Sequence, residues 1–249
     1  MWDLLFVSAA AFVGGVVNAV AGGGTFFTLP ALVAVGVPPV AANATSALAV
    51  FPGYAASALG FRAELRSFER RFVLRLVAVT LAGSFAGSLL LLVSSNEAFS
   101  AIVPVLLLGS TLAFVFGDRI RARAAARGRP GAARPGIGMA LACVYGGYFN
   151  GGLGIMLLAL FALWGMEDLS RMNALKNVAA FTVSTISVAT FAAAGLIDWS
   201  YATAMMLAAT AGGYAGAPLV RIVPRPIMRA AIATIGFGVT AGFAWRLVA

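Results

Sequence analysis

The sequence predicts an all-α polytopic membrane protein made of two inverted-topology repeats, with broken or re-entrant helices and about eight to ten hydrophobic segments. Three observations lead there. The 249-residue chain is 61% hydrophobic and only 10% charged, with mean hydropathy +0.98, where a soluble protein of this length carries roughly 25% charged residues. A glycine and asparagine signature occurs twice inside apolar sequence. Basic loops, finally, fall at opposite places in the two halves.

In chain order, an apolar segment over 4–21 carries Gly14-Gly15-x-x-Asn18 and runs into Gly22-Gly23-Gly24. Thr25 opens a short apolar segment, 25–36. A helix with a polar start at Asn43, Thr45 and Ser46 is expected over 42–61, and ordinary spans over 70–93 and 98–117. From Asp118 to Gly136, six arginines alternate with Ala, Gly and Pro, a stretch too polar for hydrocarbon and too rich in Gly and Pro for a packed domain. The order then recurs. Segment 137–150 carries Gly146-Gly147-x-x-Asn150, followed by Gly151-Gly152-x-Gly154 and a short segment at 155–165. A polar-start helix over 172–195 begins with Asn173, Lys176 and Asn177, and spans at 199–220 and 228–247 follow. The chain thus divides into a first repeat (1–117), a basic linker (118–135) and a second repeat (136–249).

The match between halves extends beyond the opening motif. Asn18 aligns with Asn150, Asn43 with Asn173 and Gly83 with Gly212, at offsets of 132, 130 and 129 residues. Three matches in order mark an internal repeat. The short second segments, at about 12 residues, reach only about 18 Å as helix against a hydrocarbon core of about 30 Å. They read as half-helices or re-entrant hairpins.

Loop charge gives relative orientation. Segment 62–75 holds five arginines and two glutamates, whereas its counterpart near Asp198 is acidic. Loop 94–97 carries Glu97, yet its counterpart 221–229 carries Arg221, Arg225 and Arg229. Equivalent loops of opposite charge face opposite sides of the membrane, so the repeats are inverted. With the arginine linker in the cytoplasm, both termini lie outside. The net charge of +9 follows from this loop bias, and nucleic acid is not expected as a partner. Met1-Trp2-Asp3 lacks the basic start of a signal peptide. Trp2, Trp164, Trp199 and Trp245 fall at span ends, as interfacial anchors do.

Chemistry is narrowly bounded. The chain has no histidine and one cysteine, Cys143, and every carboxylate falls in a loop or at a span end. No metal site, cofactor, general acid–base pair or nucleophile–base pair is visible, so an enzyme is not expected. The candidate binding residues are the doubled clusters and the polar helix starts: Asn18, Gly22, Gly23, Gly24, Thr25, Asn43, Thr45 and Ser46 from the first half. From the second come Asn150, Gly151, Gly152, Gly154, Asn173, Lys176 and Asn177. Glycine weakens a helix by about 1 kcal/mol relative to alanine, and each freed backbone group in lipid needs a new partner. Such breaks at matching points of two repeats mark a transporter's binding site, where half-helix N-termini meet an anion. The other reading is close packing through small residues, which suits Gly14, Gly83, Gly87, Gly212 and Gly216. Lys176, the chain's one lysine, reads either as a functional charge or as a snorkelling interfacial residue. Asn173, Lys176 and Asn177 share one helical face.

Gly22-Gly23-Gly24 with Pro30 and Ala42-Asn43-Ala44-Thr45 resembles the sulfite exporter TauE/SafE family, the toluene sulfonate uptake permease family. So do Gly151-Gly152-x-Gly154, Asn173-Ala174-Leu175-Lys176-Asn177 and Gly195-Leu196-Ile197-Asp198-Trp199. The resemblance covers the chain outside the linker. It implies an inner-membrane secondary transporter of small anions, notably sulfite, sulfonates and related sulfur-containing organic acids, with a site between the repeats; whether a coupling proton or ion is a further partner stays open at this point. Ala21-Gly22-Gly23-Gly24-Thr25 departs from the Gly-x-Gly-Gly-Gly pattern of many members. The alternatives are a channel or carrier for another small solute, and a membrane assembly protein whose glycines are packing seams. A transporter brings polar residues of both halves into one central cavity; an assembly protein buries its glycines with no cavity.

Overall fold

The computed structural model describes residues 1–21, 23–127, 135–222 and 225–248. Among these the chain is helical throughout, with no strand. The first half holds α1 (Trp2–Ala21), α2 (Thr25–Ala34), α3 (Pro39–Gly60), the single turn α4 (Arg62–Leu65), α5 (Arg70–Leu92) and α6 (Asn96–Ala126). The second holds α7 (Ile137–Tyr148), α8 (Leu153–Leu163), α9 (Leu169–Ala193), α10 (Trp199–Ile222) and α11 (Arg225–Val248). Among the described residues α5, α6 and α9 are long and apolar enough to cross a membrane; α2, α7 and α8 are shorter apolar helices.

Of the boundaries that differ from the sequence expectation, three have a clear local reason. Helix α3 starts at Pro39, whose ring presets φ for a first helical position. Helix α9 starts at Leu169 because the Asp168 carboxylate accepts from the amides of Ser170 (2.8 Å) and Arg171 (3.3 Å). Helix α6 runs to Ala126, so residues 118–126 of the arginine-rich stretch are helical. Alanine and arginine are strong helix formers, and arginines at a helix C-terminus suit its dipole. Asp118 and Arg121 pair within this stretch at 3.6 Å. Trp164 differs too. It is buried against Phe161 and Phe72, whereas Trp2, Trp199 and Trp245 are exposed.

The halves interleave. Helix α1 packs on α10 and α7 on α5; α3 packs on α10 and α9 on α5; α2 meets α11 and α8 meets α6. Each packing thus has a counterpart with the halves exchanged. Helices α3 and α9 meet directly, and there Phe51 stacks on Phe181 with centroids 5.6 Å apart. These two rings are counterparts at the offset that aligns Asn43 with Asn173.

Glycine makes the interleaving possible. A Cβ on Gly15 would overlap the Ala209 carbonyl, and one on Gly212 the Phe12 carbonyl, across the α1–α10 seam. Across α5–α7, Gly87 faces the Val144 carbonyl and Gly147 the Ser84 carbonyl in the same way. Such backbone-to-backbone approach is the small-residue packing of membrane helices. Thr80, Ser84 and Ser88 line the buried face of α5, each hydroxyl donating to the carbonyl four residues back. Ser187 Oγ of α9, 3.1 Å from Ser88 Oγ, is an alternative acceptor for the same proton.

Gly87→Ala should therefore lower the thermal midpoint in detergent, equivalent to about 1–3 kcal/mol of overpacking. Gly109→Ala, with nothing near its added methyl, should leave it unchanged or raise it. Equal midpoints for the two variants would remove the α5–α7 seam as a stability determinant.

Candidate functional site

The break between α7 and α8 is a backbone event. Asn150 takes φ 65 and Gly152 φ 75, both left-handed, and the chain folds back so that Gly146 faces the Leu153 side chain. Asparagine is one of the few side chains that enters this region readily. In the first half α1 likewise folds onto α2, with Gly14 against the Gly24 carbonyl and the Thr28 side chain. Gly22, one of the sequence candidates, lies outside the described residues.

A cavity of about 350 Å³ opens beside the second break. Asn18 comes to it from α1, Asn150 and Gly154 from the break and the first turn of α8, and Asn173, Lys176 and Asn177 from α9. Both halves therefore contribute polar side chains to one space. The shared face expected of Asn173, Lys176 and Asn177 is the face that lines it. Leu153, Ile155, Leu158 and Phe61 supply apolar wall. The Lys176 stem crosses the first turn of α8, its Cδ at contact distance from where a Gly154 Cβ would stand (3.4 Å). Among the described residues no carboxylate lines the cavity, and Lys176 has no ion-pair partner there. A cation at the N-terminus of α8 adds to the positive end of that helix dipole.

Asn18 links this cavity to another. Its Oδ1 accepts from the Gly24 amide at 3.5 Å, and its Nδ2 fills the space beside Gly53. With Ser57, it also lines a cavity of about 450 Å³ between α1, α3 and α10. Asn150 donates from Nδ2 to Ser184 Oγ at 3.4 Å, while its buried Oδ1 has no donor. Asn173 donates to the Leu169 carbonyl at 2.9 Å.

The remaining sequence candidates do not line the cavity. Asn43, 3% exposed, donates to the Tyr148 carbonyl at 2.9 Å, satisfying an open acceptor at the end of α7. Thr45 Oγ1 accepts from the Asp198 amide at 3.0 Å, ahead of α10. Ser46 and Thr28 share a 2.6 Å hydrogen bond. Thr25 is buried in the first turn of α2, and Gly23 and Gly24 form the turn before it. The Gly151 carbonyl accepts from Ser110 (3.0 Å) and from Tyr145, and Gly152 caps α8. Ser46 is the repeat counterpart of Lys176. Where Lys176 borders a cavity, Ser46 closes the equivalent space against α2.

Sequence reasoning missed Tyr54 and Ser57, which line the cavity from α3. Their i, i+3 spacing puts them on one face two and three turns beyond Ser46. Two polar side chains in the apolar remainder of the helix were the available signal.

Known proteins resemble the chain along most of its length. A family model described as Sulfite exporter TauE/SafE matches residues 7–243. A probable membrane transporter protein of Haemophilus influenzae is 30% identical over 246 residues, covering 96% of this chain and 94% of that protein. Probable membrane transporter protein YfcA of Escherichia coli K12 is 27% identical over 241 residues, covering 93% of this chain and 85% of its own. Probable membrane transporter protein ORF9 of Sinorhizobium sp. is 31% identical over 111 residues, or 45% of this chain and 42% of its own. No solved structure matches the chain. These relatives are named as transporters, not enzymes. The chain belongs to the sulfite exporter TauE/SafE family of membrane transporters.

Proposed function

We propose that the protein is a secondary transporter of small anions, sulfite, sulfonates or related sulfur-containing organic acids, working by alternating access. The observation that carries this reading is the convergence of Asn18 from one half and Asn150, Lys176 and Asn177 from the other on one cavity that, among the described residues, no carboxylate lines. Lys176 supplies the charge, and the first turn of α8, with Gly154, supplies amide donors and the helix dipole. Asn177 and Asn173 flank the lysine, and Asn18 and Asn150 close the space from the two breaks. Asn43, Thr45, Ser46, Gly151 and Gly152 act at one remove, by holding the broken helix ends. The repeats (1–117 and 136–249) are inverted about the α3–α9 contact and rock against one another. The paired exchange of helix packings and the loop charges support that arrangement. The protein sits in the inner membrane with the 118–135 stretch in the cytoplasm and both termini outside.

Two measurements test this. Sulfite and alkyl sulfonates should raise the melting temperature of the purified protein in a concentration-dependent way, by mass action. Lys176→Gln should weaken that binding roughly 10- to 100-fold, the worth of a charge-assisted hydrogen bond, while folding persists. Unchanged affinity in the variant would take Lys176 out of the site. For topology, a cysteine placed at Gly131 in a Cys143→Ala background should react with a membrane-impermeant maleimide only after cells are opened. Labelling in intact cells would reverse the orientation.

A further inference from the structure

Resting on the alternating-access reading above, we propose that the first half holds the second gate of the solute path, and that the Thr28–Ser46 hydroxyl pair is its latch. Ser46 stands at the repeat position of Lys176, at the offset of 130 that also relates Asn43 to Asn173 and Thr45 to Leu175. The two positions are in opposite conditions. Lys176 borders a cavity of about 350 Å³. On the other side Thr28, Thr45 and Ser46 are fully buried, and Ser46 is hydrogen-bonded to Thr28 of α2 at 2.6 Å. Cross-half bonds hold that closed side: Asn43 donates to the Tyr148 carbonyl at 2.9 Å, and Thr45 Oγ1 accepts from the Asp198 amide at 3.0 Å. On the open side Asn173 donates to Leu169 of its own helix, and Leu175 has no hydroxyl to offer.

The latch can release without orphaning a polar group inside the membrane. Thr28 Oγ1 donates to the Gly24 carbonyl just ahead of α2 at 3.3 Å, so Ser46 supplies the proton between the two hydroxyls. When α2 and α3 part, Thr28 keeps its carbonyl and Ser46 turns to the carbonyl of Ala42, four residues back in α3. Thr80, Ser84 and Thr182 already bond in that way. A neutral hydroxyl pair is therefore cheap to exchange, whereas a parted ion pair leaves two bare charges. The flanking loops place the two gates. Phe61, in the wall of the Lys176 cavity, adjoins the basic 62–75 stretch, while Thr45 holds the amide of Asp198 in the acidic loop. With basic loops in the cytoplasm, the cavity opens inward and the latch shuts the outer end. The opposite state has α2 and α3 apart and α8 closed over Lys176.

Cysteine accessibility tests the latch with no ligand present. In a Cys143→Ala background, Ser46→Cys and Lys176→Cys are exposed to a small impermeant methanethiosulfonate in intact cells and in inside-out vesicles. Val103→Cys, at an equally buried position, gives the baseline. Ser46→Cys should react from the outside about tenfold or more faster than that baseline, through the outward-open state. Lys176→Cys should react from the cytoplasmic side. Reaction of Ser46→Cys at the baseline rate, or of both cysteines from one side, overturns the proposal. Thr28→Cys combined with Ser46→Cys gives a second readout. Oxidised to a disulfide, the pair should cut sulfite flux in proteoliposomes roughly tenfold or more, while the sulfite-induced rise in melting temperature persists. Reduction should restore the flux. A formed disulfide that leaves flux unchanged also overturns the gate. Should sulfite and alkyl sulfonates neither bind nor move, the anion reading falls, and the cysteine rates still decide the gate. Should Ser46→Cys fail to fold, Thr28→Cys is read in its place.

Discussion

A helix broken inside hydrocarbon leaves backbone groups with no water to turn to, and much of this structure is an answer to that constraint. The end of α7 is met by Asn43, reaching across from the other half to the Tyr148 carbonyl. The Gly151 carbonyl takes hydroxyls from Ser110 and Tyr145. In the first half Asn18 takes the Gly24 amide. Polar side chains that read as one class in the sequence therefore divide into two. One class repairs the backbone; the other faces a cavity.

Two of these repairs, from Asn43 and Ser110, come from the opposite half, and that depends on how closely the halves approach. Four glycines on α1, α5, α7 and α10 place backbone against backbone with no room for a methyl group. Without them α5 could not carry Ser88 to Ser187 and the Gly147 carbonyl. The close seams and the satisfied breaks form one construction. Lys176 can border a cavity because Gly154 leaves space for its stem, and because the neighbouring polar groups are largely engaged elsewhere.

Most of the fold was legible in the sequence because membrane helices advertise themselves through length and apolar composition. The expected segments correspond to ten of the helices, and α4 is a single additional turn. The end of α6 was hidden because charge was read as a stop signal, although arginine and alanine extend a helix well. The site was legible in part. Asn18, Asn150, Gly154, Asn173, Lys176 and Asn177 meet as a group, since repeat position and helical spacing both mark them. Asn43, Thr45 and Ser46 carried the same marks and serve structure instead. Whether a buried amide faces a carbonyl or a cavity depends on a helix far away in sequence, and local pattern carries no record of it. Tyr54 and Ser57 were missed for the complementary reason: their repeat counterparts, Ser184 and Ser187, drew no attention to them.

Among the described residues Lys176 borders its cavity with no carboxylate, and on the proposed transport reading this has an electrical consequence. Any rearrangement that moves a protonated Lys176 along the membrane normal does work against the transmembrane potential. That work amounts to about 2.3 kcal/mol per elementary charge carried across the full field at 100 mV. A monoanion seated beside the lysine cancels the moving charge and most of that work. Voltage would then act on the empty protein and spare the loaded one, making the return step, rather than the step that carries cargo, the one the cell's membrane potential governs.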